Sequence, residues 1–415
     1  MTEETMTTQG SEATTLIYQQ LTTTLHRVRP WWHRWGPLVV VALVLGTAIT
    51  VSDIYYYAGG SNLAGFAQVN RISAAKFGLQ RQAIDSNIGY DGQFYFFLAY
   101  APESILINCK DTTSPLCAVS VGGKPELRAE RIFYPMTVRV LALGQLALIP
   151  LMLLLVNVFA ILIVAELIGQ MAVAAGRSRW WGAAAALFCG MTFGLLRDLA
   201  DPYAVMWLVL AVFLLRQERW RWAALAGAAA LLTRESLIFL IPLLAIPLLA
   251  QRRWLLLAQF AAIAFVPFIA YQIVLHSLFG TWALQSGDSS AAHLVPLPFA
   301  GFWHERRQLD FSLIALGVVL PLAGVIGIAI LDIVRRGWRT LLSDPVPLSV
   351  LLYGVLLSFT YWFQWADIWG PSRLAAPAVV LGTLGVMNLP WAQWRIAFMT
   401  LMGMSAIIPL ILIQR

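Results

Sequence analysis

Five short stretches of this 415-residue chain set acids and arginines in apolar surroundings. The first is Gly89-Tyr90-Asp91-Gly92-Gln93-Phe94-Tyr95, where an Asp-Gly turn precedes an aromatic and aliphatic stretch running to Pro102. A carboxyl at that position, beside low-dielectric material, is expected to have a raised pKa and to act as a base; a plain helix cap is the competing reading. The second is Arg128-Ala129-Glu130-Arg131, leading into Ile132-Phe133-Tyr134-Pro135. Its guanidinium groups suit a phosphate held by paired, charge-assisted hydrogen bonds, and equally suit the interfacial anchor of a following span. The third and fourth, Arg197-Asp198 with Asp201 and Arg234-Glu235, fall at the tips of predicted hairpins. Ionisable groups at membrane depth are costly and mark sites or pathways, unless each pair only neutralises itself. The fifth is the Trp-rich stretch 364–373, with Asp367 and Arg373, whose rings could hold a sugar or a lipid chain or form an interfacial belt.

Other chemistries lack their residues. Five histidines show no metal-ligand spacing, and His304-Glu305 reads as solvated. There is no glycine-rich nucleotide loop, serine nucleophile elbow or paired-cysteine metal site, so nucleotide-driven transport is not expected. A divalent metal shared by Asp53 and Asp91 is left open against the commoner reading of Asp53 as a helix-end acid. No other cofactor is called for.

The elements that must position these groups are transmembrane helices. Residues are 59% hydrophobic and 12% charged, and mean hydropathy is +0.73, which leaves too little polar surface for a water-facing globule. A bilayer core about 30 Å thick takes roughly 20 apolar residues per helix. Apolar runs near 37–57, 140–170, 180–196, 202–215, 222–233, 237–250, 255–278, 311–332, 347–363, 374–389 and 396–413 predict an all-α, polytopic chain of about eleven spans. Residues 1–36 read as a disordered cytoplasmic tail and not a cleaved signal, since the polar lead is long and no small-residue cleavage site follows. Residues 37–280 read as one membrane module with an outer loop at 58–139, and 281–415 as a further set of C-terminal membrane helices.

Arginine-dense short connections at 27–34, 177–179, 216–221, 252–253, 335–339 and 395 alternate with connections that mix acids, arginines and aromatics. The positive-inside rule then puts the N-terminus and the plain basic loops in the cytoplasm and all five stretches on the outer face of a cell membrane. The same rule absorbs most of the +7 net charge, and no nucleic-acid motif accompanies it. Cys189 falls in an apolar run and reads as packing, while Cys109 and Cys117 share a polar loop and would pair on an oxidising side.

With these residues in view, the chain resembles the GT-C superfamily of membrane glycosyltransferases, and within it the second-mannose mannosyltransferases of glycosylphosphatidylinositol synthesis and their bacterial relatives. Tyr90-Asp91-Gly92-Gln93-Phe94-Tyr95 is similar to that group's first-loop acidic element, Ile132-Phe133-Tyr134-Pro135 to an aromatic-proline element before span two, and Thr233-Arg234-Glu235-Ser236 to a later Arg-containing turn, with Glu standing where the group has Ser. The resemblance implies interfacial helices in the first outer loop and inverting transfer from a polyprenyl-phosphate sugar donor to a lipid or glycan acceptor. Asp91 would be the base, with Arg131, Arg234 or Arg373 holding the phosphate, and Tyr90, Gln93, Tyr134, Arg197, Asp198, Asp201, Glu235 and Asp367 lining the substrate. A lipid or glycan carrier without transfer chemistry, and a scaffold subunit of an envelope complex, are the alternatives.

Overall fold

A computed structural model describes residues 32–54, 63–76, 79, 89–103, 128–283, 294–306, 310–337 and 341–412. These form helices and turns with no strand among the described residues; Leu294 and Thr360 make an isolated bridge. In chain order the helices are α1 (Trp32–Ile54), α2 (Ala64–Ala67), α3 (Arg71–Lys76), α4 (Gly92–Tyr100), α5 (Phe133–Leu141), α6 (Leu146–Ala174), α7 (Trp180–Ala186), α8 (Cys189–Leu196) and α9 (Asp201–Arg216). They continue with α10 (Trp220–Thr233), α11 (Glu235–Ala250), α12 (Trp254–Phe279), α13 (Ala300–His304), α14 (Phe311–Arg336), α15 (Val346–Ser358), α16 (Trp369–Val386) and α17 (Ala392–Leu412).

Five of these, α1, α6, α12, α14 and α17, are long and apolar enough to cross a membrane; α11 and α15 are shorter apolar helices. The expected apolar runs are thus helical, but several are shorter or more broken than a simple count of spans supposes. The run from 140 divides at Leu143 and Gly144, both with left-handed backbone (φ +52° and +69°), which separates α5 from α6. The run 180–196 breaks at Phe188, whose extended backbone (ψ 134°) ends α7 and begins α8. In α11, Pro242 and Pro247 withhold backbone donors, and its first two turns are 3-10.

Leu255, Val266, Ile269, Ile273 and Val274 of α12 stay exposed, an apolar surface that water would penalise and lipid would not. The core lies where α6, α8, α9 and α16 meet. Close crossings there need glycine: a Cβ on Gly182 would strike the Ala165 carbonyl, and one on Gly190 the Ser372 carbonyl. At one end of this core sits α4. The helix expected along the interface is enclosed by protein, Gly92 through Ala99 all being buried against α2, α5 and α6. An aromatic helix with no polar face has no reason to stay wet. Arg139 of α5 closes its C-terminal end, donating to the Ala99 and Tyr100 carbonyls at 2.9 and 2.7 Å, where a cation meets the negative end of the helix.

A candidate active site built from five arginines

Asp91 stands at the start of α4 in helical backbone and makes no capping hydrogen bond, so the cap reading is set aside. Its place depends on two glycines. Gly89 has φ +69°, and a Cβ on Gly92 would strike the Arg197 carbonyl. That close approach brings the α8–α9 turn against the start of α4. Gln93 serves the same corner: it is buried, and its Oε1 accepts from the Asn70 side chain (2.8 Å) and backbone (3.2 Å).

Each Asp91 oxygen carries its own guanidinium. Arg128 Nη1 donates to Oδ1 and Arg373 Nη1 to Oδ2, both at 2.8 Å. Burial by itself would push the Asp91 carboxyl up, but Arg373 and Arg128, with Arg131 behind them, outweigh it and hold the carboxyl well below the usual range. This corrects the expectation of a raised pKa: nearby low-dielectric material counts for less than two cations in direct contact. Asp91 is ionised at neutral pH and, while clamped, a weak base.

Beside this pair lies an aromatic platform. The Arg197 guanidinium sits 4.3 Å from the Trp369 ring centroid and 5.3 Å from that of Tyr90, and Arg373 is 5.7 Å from Tyr90. Burial, partly offset by Arg373, pushes the Tyr90 phenol up to about 12, so it stays a neutral donor. Arg197 is half-buried and, among the described residues, has no carboxylate within ion-pair distance.

Behind the platform the charges are committed to one another. Arg131 forms a two-point pair with Glu235, at 2.8 Å from Nε and 2.7 Å from Nη2, and also donates to the Tyr95 hydroxyl at 3.3 Å. Arg234 pairs with Asp201, both nearly fully buried, and donates through Nε to Ser236 at 3.3 Å. Glu130 lies within reach of the charges of both pairs without joining either; its Oε2 accepts from Gln272 at 3.4 Å, while Oε1 has no partner among the described residues. Burial and then the Glu235 charge push it well above the carboxylate range.

The structure therefore joins Tyr90, Asp91, Arg131, Arg197, Asp201, Arg234, Glu235 and Arg373 in one network, with Arg373 and Tyr95 feeling the Asp201 charge. Two other candidates, Tyr134 and Asp198, are buried away from its open side, and a third, Asp367, lies at its edge, where its charge reaches Tyr90. Tyr134 is fully buried, donating to the Leu153 carbonyl at 3.0 Å and accepting from Asn157 at 2.9 Å. Asp198 is also fully buried, on a left-handed backbone (φ +47°), and neither oxygen has a partner; burial alone raises its pKa far above the usual range. Asp367 is exposed and accepts from the Gly370 backbone at 2.9 Å, capping the entry to α16. Arg128, expected only as part of the Arg128–Arg131 guanidinium cluster, and Trp369, one of the rings of the Trp-rich stretch, belong to the site, and Tyr95 and Glu130 to its support. The Arg128 signal was present in its spacing from Arg131, which puts both on one short turn.

The donor set does not fit a divalent ion, since both Asp91 oxygens face cations. Among the described residues no three His, Cys, Asp or Glu side chains gather. Cys109 and Cys117 lie outside the described residues. No known family profile, curated protein sequence or solved structure matches the chain.

Proposed function

We propose that the chain is a membrane glycosyltransferase of GT-C type, moving a sugar from a polyprenyl-phosphate donor to the hydroxyl of a lipid or glycan acceptor with inversion. The supporting observation is the coexistence, in one partly open network, of an ionised carboxylate, two stacking rings and an arginine that has no acidic partner among the described residues. In the proposed step the acceptor oxygen forms a bond to the sugar's anomeric carbon, and the bond from that carbon to the phosphate oxygen breaks. The phosphate leaves with the electron pair, and the hydroxyl proton passes to Asp91. Arg197 steadies the departing charge, and Tyr90 and Trp369 offer faces to the sugar or its lipid. Arg131 and Arg234, which the resemblance implied as phosphate ligands, act in this reading as braces, because their guanidinium groups are spent on Glu235 and Asp201. The same proposal carries about eleven membrane passes, a cytoplasmic N-terminus and an outward-facing site, from the alternation of basic loops.

The test is transfer by purified chain in liposomes from a panel of polyprenyl-phosphate sugars. Asp91→Asn should lower the rate by about 10² to 10⁴, the usual worth of a positioned base, and Arg197→Gln by about 10²-fold, with melting temperatures near wild type. Unchanged transfer by folded Asp91→Asn would remove Asp91 from the reaction.

A further inference from the structure

Two guanidinium groups hold one carboxylate at the open side of the network, and a third, that of Arg197, shares the Tyr90 ring with Arg373. Arg128, Arg373 and Asp91 keep side-chain exposures of 29%, 16% and 15%, whereas the Arg234–Asp201 pair behind keeps 4% and 2%. Arg197, which has no acidic partner among the described residues, is the guanidinium there left free to take a phosphate that reaches this side. The next donors within reach are the two that Asp91 occupies. A phosphate presents several oxygens to planar, forked donors, whereas Asp91 offers one oxygen to each.

We infer that a lipid-borne phosphate and the Asp91 carboxylate compete for Arg128 and Arg373, so that donor binding displaces the carboxylate and frees it to face the acceptor hydroxyl. This rests on the donor class proposed above and adds an order: the donor binds first, and the base exists only once it has. The groups that face Asp91 allow the exchange. They are Arg128 from the turn before α5, Arg373 from α16 and Arg131 behind, with the Tyr90 phenol beside it. Released from its two cations and still surrounded by the apolar body of α4, the carboxylate holds a proton more readily. The clamp thus keeps the base idle in the absence of donor.

The experiment is binding of farnesyl phosphate, with farnesol as its uncharged control, followed through tryptophan fluorescence of the detergent-solubilised chain. Removing the internal competitor should tighten binding, so Asp91→Asn should bind farnesyl phosphate about tenfold more tightly than wild type, within the usual range for coupled sites. Asp91→Ser replaces it should the Asn variant not fold. Glu103→Gln, which removes an exposed acid just beyond α4, should change binding less than about twofold, the small effect expected of a solvated charge. Arg197→Gln should weaken binding about tenfold in both backgrounds. Phosphate-dependent binding that is equal or weaker in the Asp91 variants overturns the competition alone. Wild-type binding of farnesyl phosphate no tighter than that of farnesol overturns the donor reading beneath it.

Discussion

Glu130 and Asp91 are carboxylates of opposite character within one network, and their surroundings decide it. Asp91 has two cations in contact and stays charged; Glu130 has a neutral amide at 3.4 Å, a like charge on Glu235 nearby, and no water-facing oxygen. Each leaves its own signature in stability. The folded pKa of Glu130 lies above its unfolded value of about 4.3, so the unfolded chain releases that proton first as pH rises. Its contribution to stability is therefore whole below about pH 4 and is lost progressively toward the folded pKa. Asp198 adds to the same slope. Asp91, depressed, does the reverse: its contribution is whole above about pH 4 and fades only in strong acid. Glu130→Gln should accordingly melt progressively higher than wild type between pH 5 and pH 8, in a thermal series with detergent held constant. A constant offset across that range would contradict a neutral Glu130.

At the scale of elements, the site is assembled by crossings that leave no room for side chains. Gly190 of α8 lies against the Ser372 carbonyl of α16, one residue before Arg373, and Gly92 of α4 lies against the Arg197 carbonyl after α8. Both arginines that face Tyr90 are therefore positioned by backbone contacts at glycines. A methyl at position 190 would meet the Ser372 backbone carbonyl first and the Phe188 ring next; the carbonyl cannot rotate away, so α8 and α16 must separate. Gly190→Ala should cost about 1 to 3 kcal/mol, the usual range for overpacking, and should lower sugar transfer further than the loss of folded protein explains, because Arg373 moves with Ser372. Equal losses of folded protein and of transfer, read from melts and from rates per folded molecule, would show that the crossing does not position Arg373.

Across the whole molecule, ion pairs tie helices together, one between elements 104 residues apart and one between consecutive helices. Arg131 precedes α5 and pairs with Glu235 at the start of α11; Arg234 ends α10 and pairs with Asp201 at the start of α9. Removing one member of the Arg234–Asp201 pair strands a charge where neither water nor lipid can solvate it. Asp201→Asn should cost about 3 kcal/mol or more, while the double replacement Asp201→Leu with Arg234→Met should restore most of the loss in melts of the two proteins. Failure of the double variant to recover would mean that the pair does more than neutralise itself.

Much of the architecture was legible in the chain, because a bilayer tolerates few alternatives: apolar runs of sufficient length must be helical, and their ends are marked by arginine, tryptophan, proline and glycine. The acids and arginines stood out for the same reason, since their cost in apolar surroundings makes them conspicuous. Partnership was not legible. Asp91 finds Arg128 across 37 residues and Arg373 across 282, and no local pattern encodes such a meeting. Nor did spacing say that α4 would be enclosed, that Tyr134 and Gln93 would spend their polar atoms on packing, or that, among the described residues, Arg197 of the site's five arginines would be the one without an acidic partner. Residue type decided which groups were charged in principle. Tertiary structure decided which of them remain charged, paired or available, because pKa and hydrogen-bonding capacity depend on neighbours that only the folded chain supplies.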